Sequence, residues 1–227
     1  MLWLEPSPVW LQVAIVTAWV GGFLLIAAKL NHLTLNPEVT RKVVHIGTGN
    51  LILLAWWLSI PASVGIAASI LASLVTLLSY RVPLLPGLNS VGRKSFGTFF
   101  YAVSIGLLIA WFWPRQQPQY AALGILVMTW GDGLAAVIGQ RFGQHHYKIW
   151  GMQKSWEGSL TMCVVSYLVS SSLLLGVQGN IWQTWVVSLA VALVATVLEA
   201  FSVFGIDNLT VPLGSAALGF FLSRMLE

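Results

Sequence analysis

Charge is what this chain has least of. Asp, Glu, Lys and Arg make up 8% of its 227 residues, against about 25% in a soluble domain. That is too little to solvate a water-facing surface, which excludes an ordinary soluble globule and makes lipid the main solvent. Cysteine is almost absent as well. Cys163 is the only one, so an intrachain disulfide and a thiolate zinc site are both excluded. It falls in an apolar run and reads as a small packing residue. The formal net charge is +4, but no basic stripe interleaved with aromatics is present, so nucleic acid is not an expected partner. The first residues lack a basic region followed by a small-residue cleavage site. They also lack an Arg- and Ser-rich transit segment. The run Val9 to Ala28 is therefore expected to be a retained spanning helix.

Apolar residues are what is there instead, at 57% of the chain. A spanning helix needs about 20 of them in sequence. Eight runs qualify: 9–28, 43–60, 62–80, 95–113, 119–138, 159–176, 181–199 and 209–225, the eighth being the least hydrophobic. The fold class expected is all-α, a polytopic transmembrane bundle of seven or eight helices. With no repeat, linker or low-complexity tract, residues 1–227 are expected to form a single domain. The loops after the first, third and fifth runs hold Lys29, Arg41, Lys42, Arg81, Arg93, Lys94, Arg141, Lys148 and Lys154, nine of the eleven basic residues. The positive-inside rule places those loops in the cytoplasm and both termini outside. His45, Glu157, Glu199, Asp207 and Asn208 fall on the same face. A transporter more often places polar groups at the bilayer midplane, whereas an enzyme drawing a soluble co-substrate from the cytoplasm needs this one-sided pattern.

Asp132 is the most informative residue. It sits in Trp130-Gly131-Asp132-Gly133, about seven residues and roughly 10 Å inside the expected end of its helix. A carboxylate there costs at least a few kcal/mol unless paired or metal-bound. Gly131 and Gly133 let a ligand or a backbone come close. Asp132 is thus either a Mg²⁺ ligand beside phosphates or one half of a packing ion pair. Next come Gly139-Gln140-Arg141-Phe142-Gly143 and Lys154-Ser155-Trp156-Glu157-Gly158-Ser159, the latter opening a helix. A helix N-terminus suits phosphate, with Lys154 adding a cation and Ser155 or Ser159 a hydroxyl. Equally, Ser155 is a good N-cap and Glu157 a good first-turn acid. The spacing is not that of a P-loop.

Glu199, Asp207 and Asn208 offer oxygen ligands of the kind Mg²⁺ takes together with phosphates and water, although Asp207 or Asn208 could simply cap the last helix. Arg41 and His45 share a helix face. With Lys42 they suggest phosphate contact, or in the case of Arg41 and Lys42 a basic membrane flank. His145 and His146 have no metal-like partners in sequence. The twelve Trp residues read mainly as interfacial anchors.

Together these runs resemble the polyprenol kinase family, which includes phytol kinases and dolichol kinases. Gly131-Asp132-Gly133-Leu134-Ala135-Ala136 followed by Gly139-Gln140-Arg141-Phe142-Gly143 is similar to its signature. Lys154 to Ser159 resembles its next motif, Glu199 with Asp207 to Leu213 its third, and Arg41-Lys42-Val43-Val44-His45 its first. The resemblance covers about residues 41–214. Its four motifs are weak singly and strong in this order on a multi-span chain. Within the family the chain looks most like cyanobacterial and plastid phytol kinases, and the missing transit segment favours a cyanobacterial one, in plasma or thylakoid membrane.

The resemblance implies a CTP-dependent transfer of the γ-phosphoryl group to a long isoprenoid alcohol such as phytol. It implies a divalent metal, Mg²⁺, and salvage of chlorophyll-derived phytol toward tocopherol and phylloquinone. Carried over residue by residue, it makes Asp132, His45 and Glu199 catalytic. Asp132, Glu199, Asp207 and Asn208 become metal-holding. Arg41, Lys42, Gly131, Gly133, Gly139, Arg141, Gly143, Lys154, Ser155, Gly158 and Ser159 become phosphate-binding. The base is either His45 or a carboxylate. Membrane CDP-diacylglycerol synthases carry a similar Asp-Gly-Ala, Gly-Arg-Phe-Gly and Lys-Thr-Trp-Glu-Gly series, so a phosphatidate cytidylyltransferase is the rival reading. Their acid-rich helix is sparse here. A transporter or scaffold without catalysis is the third.

Overall fold

Lipid cannot hydrogen-bond a bare backbone, so a chain this apolar must close its peptide bonds within helices. The computed structural model, which describes residues 8–33, 37–81 and 96–226, does so over most of them. The helices are α1 Val9–Leu33, α2 Pro37–Gly49, α3 Leu51–Trp57, α4 Ala62–Ser79, α5 Gly97–Phe112, α6 Pro118–Leu126, α7 Gly133–Phe142, α8 Trp156–Gln178, α9 Trp182–Ala200 and α10 Asp207–Leu226. Six helical stretches are long and apolar enough to cross a membrane, and Gly97–Phe112 is a shorter apolar helix. The pair α2 and α3 completes an alternating set of eight passages. The basic pair Arg93-Lys94 and the first residue of the expected 95–113 run lie outside the described residues.

Three boundaries differ from expectation, each for a local reason. The expected 43–60 run begins earlier, at Pro37, a residue whose fixed φ suits a first turn, and it is interrupted at Asn50. There the Asn50 side chain donates to the Ile46 carbonyl at 2.7 Å, competing with the backbone ladder. The expected 119–138 run extends to Phe142, which places Asp132 ten residues from the helix end, roughly 15 Å at 1.5 Å per residue. Residues 146–155 depart from all-α. They form an antiparallel hairpin of β1 His146–Ile149 and β2 Met152–Ser155. Ile149 pairs with Met152, leaving the two-residue turn Trp150-Gly151 with φ of 48° and 78°, the backbone a tight hairpin requires.

One passage sits at the centre. Pro118–Phe142 is 72% buried, whereas Val9–Leu30 is 11% buried and faces outward. Its residues Ala121, Ala122, Leu123, Ile125, Val127 and Met128 are fully enclosed by Leu108 and Phe112 of α5, Met162 of α8, Val187 and Val191 of α9 and Val211 of α10. Small residues allow the close contacts that hold helices together where no hydrophobic effect operates. At Gly158 of α8 an added Cβ would stand 3.2 Å from the Ala135 carbonyl and 3.4 Å from the Cα of Gly139, so α7 and α8 meet almost backbone to backbone.

The central passage is also where helical geometry changes. Val127–Asp132 is a π-helix, a widened turn that is rare and frequent at functional sites. Thr129 within it is fixed by the Ile125 carbonyl at 2.6 Å and by the Tyr101 hydroxyl at 2.6 Å. The indole of Trp130 donates to Asn50 Oδ1 at 3.2 Å. The last residue of the widened turn is Asp132.

Candidate functional site

The ends of α2, α4, α5, α7, α8, α9 and α10 that carry the polar motifs all lie at one end of the bundle, as the alternating passages require. They enclose a cavity of about 1070 Å³. Two ion pairs furnish it, one buried and one part-buried. Lys42 Nζ donates to Asp132 Oδ2, and these residues are 5% and 7% exposed. Lys154 Nζ donates to both the side-chain Oε1 and the backbone carbonyl of Glu199. Each pair joins elements distant in sequence. Such pairs offset their desolvation only when well satisfied, so they are poor candidates for stability alone.

Asp207 stands differently. It is 9% exposed, and among the described residues no cation lies within 4 Å of its carboxylate. Its neighbour Asn208 donates to Oδ1 at 3.2 Å. A carboxylate removed from water without a countercharge is costly. Three cations, Arg41, Lys42 and Lys154, and three carboxylates, Asp132, Glu199 and Asp207, thus share one wall system with Gly139, Ser155, Gly158, Ser159 and Asn208.

Other expected residues lie off that wall. His45 sits behind Asp132. Its ring packs on Tyr101 at 4.3 Å between centroids, and its Nε2 is 4.0 Å from Asp132 Oδ2, buried and without a hydrogen-bond partner among the described residues. Gly131 and Gly133 face neighbouring helices. A Cβ on Gly131 would stand 2.6 Å from Met162 Sδ, and one on Gly133 would stand 3.0 Å from Ile46 Cδ1. They make room for packing at the level of Asp132. Arg141 is exposed, its guanidinium 5.5 Å from the Phe142 ring, and Gly143 lies against Ser155 at the end of α7.

Ser155 combines two roles that the sequence left open. It caps α8, its Oγ accepting from Gly158 N at 3.2 Å, and it lines the cavity. Glu157 points away from the cavity, toward His145, accepting from His145 Nδ1 at 2.7 Å. Among the described residues no group of three or more His, Cys, Asp and Glu side chains could hold a metal by themselves.

The hairpin and the turn 201–206 bring residues to the cavity that sequence reasoning missed: His146, Met152, Gln153, Ser202, Phe204 and Gly205. The hairpin had a readable sign in Trp150-Gly151, a turn dipeptide between two short runs. Tyr80 and Thr98, also on the wall, had none, since only packing of α4 on α5 puts them there.

No family model matches the chain, and no solved structure matches it. Curated proteins do. It is 53% identical to the phytol kinase of Synechocystis sp. over 93% of this chain and 91% of that protein. It is 29% identical to phytol kinase 1, chloroplastic, of Arabidopsis thaliana over 90% of this chain and 74% of that protein. A probable phytol kinase 2, chloroplastic, of Glycine max is 30% identical over 83% of this chain and 66% of that protein. The identity to the Synechocystis protein runs through nearly all of both chains, and with it the chain belongs to the phytol kinases of the polyprenol kinase family.

Proposed function

We propose that this chain is a membrane-embedded phosphotransferase that moves the γ-phosphoryl group of CTP to the hydroxyl of phytol, giving phytyl phosphate. The observation that carries the reading is the cavity at the basic end of the bundle, with three cations beside three carboxylates. Phosphoryl transfer demands positioning and charge neutralisation more than covalent chemistry. The alcohol oxygen attacks the γ-phosphorus, the bond from that phosphorus to the β,γ-bridging oxygen breaks, and CDP leaves with the electron pair. Arg41, Lys42 and Lys154 bind the phosphates, with the first turn of α8 supplying free N–H groups. Asp132, on the wall, takes the hydroxyl proton. His45 stands behind it, its Nε2 4.0 Å from Asp132 Oδ2.

Mg²⁺ fits this donor set, because it needs only one or two carboxylates in addition to phosphates and water. Asp207, buried with no cation within 4 Å among the described residues, and Asn208 would hold it, joined by Asp132 or Glu199 as their lysines turn to phosphate. When bound it neutralises charge developing on the phosphate oxygens. The positive-inside rule puts this end of the bundle in the cytoplasm, where CTP is available, while phytol reaches the site from the lipid. The product would feed tocopherol and phylloquinone synthesis.

The test uses bacterial membranes containing the full chain, γ-³²P-labelled CTP, Mg²⁺ and phytol. Labelled phytyl phosphate in the organic phase is expected, and Asp132→Asn should lower it by at least about 10²-fold, the scale of a lost general base. Absence of lipid label, with pyrophosphate released when phosphatidic acid replaces phytol, would overturn the kinase reading in favour of cytidylyl transfer.

A further inference from the structure

The cavity has depth, and its chemistry is sorted along it. Asp132 lies roughly 15 Å inside the end of α7. Two loops project past the helix ends on the same side. One is the hairpin after α7, and the other is the turn between Ala200 and Asp207. They touch at their tips, where the Trp150 ring meets Phe201 edge-on at 5.5 Å between centroids. Between them the cavity opens, walled by Gly151, Met152 and Gln153 on the hairpin and Ser202, Phe204 and Gly205 on the turn.

Phe204 is anomalous there in three ways. It is 70% exposed on the wall of a cavity otherwise lined largely by polar groups. Among the described residues its ring has no aromatic neighbour, unlike Phe201. Its backbone has a φ of 54°, a left-handed conformation that is costly for a bulky side chain and persists where surroundings enforce it. Enforcement is visible: the Phe204 carbonyl accepts from Phe96 N at 3.0 Å, and Gly205 continues the turn at 84°. The fold spends strain to hold an exposed aromatic face, without an aromatic neighbour among the described residues, over the outer cavity.

We infer that Phe204 is the stacking platform for the nucleobase of the phosphoryl donor. This rests on the kinase reading, whose cations fix the donor's direction. Phosphates must reach Lys42, buried beside Asp132, past Lys154 at the base of the hairpin, so the nucleobase is left at the level of the two loop ends. An isoprenoid chain partitions the opposite way, into lipid along the helices. A flat ring is the fitting surface for a base, since every base presents a π-face.

Steady-state kinetics on the full chain in membranes test this with three variants and one inhibitor. Phe204→Leu keeps apolar bulk without a flat face, Phe204→Ala removes both, and Phe204→Tyr keeps the ring. The expected result is a KM for CTP raised about 10-fold in the Leu and Ala variants, the scale that loss of a stacking ring produces. The KM for phytol should stay unchanged, and Phe204→Tyr should match the parent. Inorganic tripolyphosphate, which has no base, should inhibit all four proteins with the same constant. An unchanged KM for CTP, a raised KM for phytol, or weakened tripolyphosphate inhibition in step with CTP would each overturn the assignment. Equilibrium binding of labelled CTP to the purified proteins with Mg²⁺, without acceptor, separates the two readings. If the parent binds CTP but does not phosphorylate phytol, the proposed function fails, and the Phe204 variants still decide the stacking claim.

Discussion

The two ends of the bundle solve the same problem differently. At the end away from the cavity, buried polar groups are neutral, and several bond to backbone carbonyls or near neighbours. Gln12 donates to the Leu58 carbonyl at 2.9 Å and Trp113 to that of Ile60 at 3.0 Å. Thr184 donates to the Gly179 carbonyl at 2.8 Å and accepts from Gln178 at 2.9 Å. No formal charge is buried in these contacts. At the cavity end, full charges sit in one buried and one part-buried lysine–carboxylate pair, and among the described residues no cation lies within 4 Å of the Asp207 carboxylate. Among the described residues, one end buries only neutral groups. The other is finished only when something anionic and something cationic join it, which is how a binding site differs from a helix cap.

The sharpest way to break that contrast is at Lys42. Lys42→Met should lower phosphoryl transfer by about 10²-fold or more, as removal of a preorganised charge does. It should also destabilise the protein by about 3–5 kcal/mol, because Asp132 is left charged and buried. The double variant Lys42→Met/Asp132→Leu should recover most of the melting temperature in detergent and none of the activity. Recovery of both would make the pair structural. A smaller effect is expected at Lys154, which is less enclosed. Lys154→Met should raise the KM for CTP by about 10-fold while the KM for phytol holds, read by varying each substrate separately. The smallest belongs to the far end. Thr184→Val should cost about 0.6 kcal/mol, the average for a hydrogen bond inside a membrane bundle, and leave turnover at the parental level. A loss of turnover there would erase the distinction between the ends.

Much of this was legible from residue order because lipid imposes simple rules. Runs of apolar residues had to be helices, and their alternation brought Asp132, Lys154, Glu199 and Asp207 to one end without any knowledge of packing. The partnership of Asp132 with a lysine was visible as one of two options. Which lysine was not, since Lys42 is ninety residues away. His45 was readable as near the chemistry but not as lying behind Asp132, because its depth depends on how α2 leans on the central passage. Gly131 and Gly133 looked like room for a ligand and are room for Met162 and Ile46. Phe204 left no sign in the sequence, where it is one of ten phenylalanines, and only its backbone and its place on the wall distinguish it.

The π-helix at 127–132 has a consequence for how this chain can vary. A widened turn holds more residues than the α-helix around it, so it acts as a phase shift. Residues up to Leu126 point into the core on one periodicity, and those from Gly133 point at α8 and the cavity on another. Deleting one residue within 127–132 would let the turn relax to ordinary α geometry with α7 keeping nearly its rotation relative to α6, because a wide turn covers the same angle with one residue more. Ala135, Ala136 and Gly139 would stay on the wall, and the change would fall on Thr129, Trp130 and Asp132 within the turn. The segment is thus a stretch where the loss of one residue spares the helices on either side and displaces the carboxylate between them.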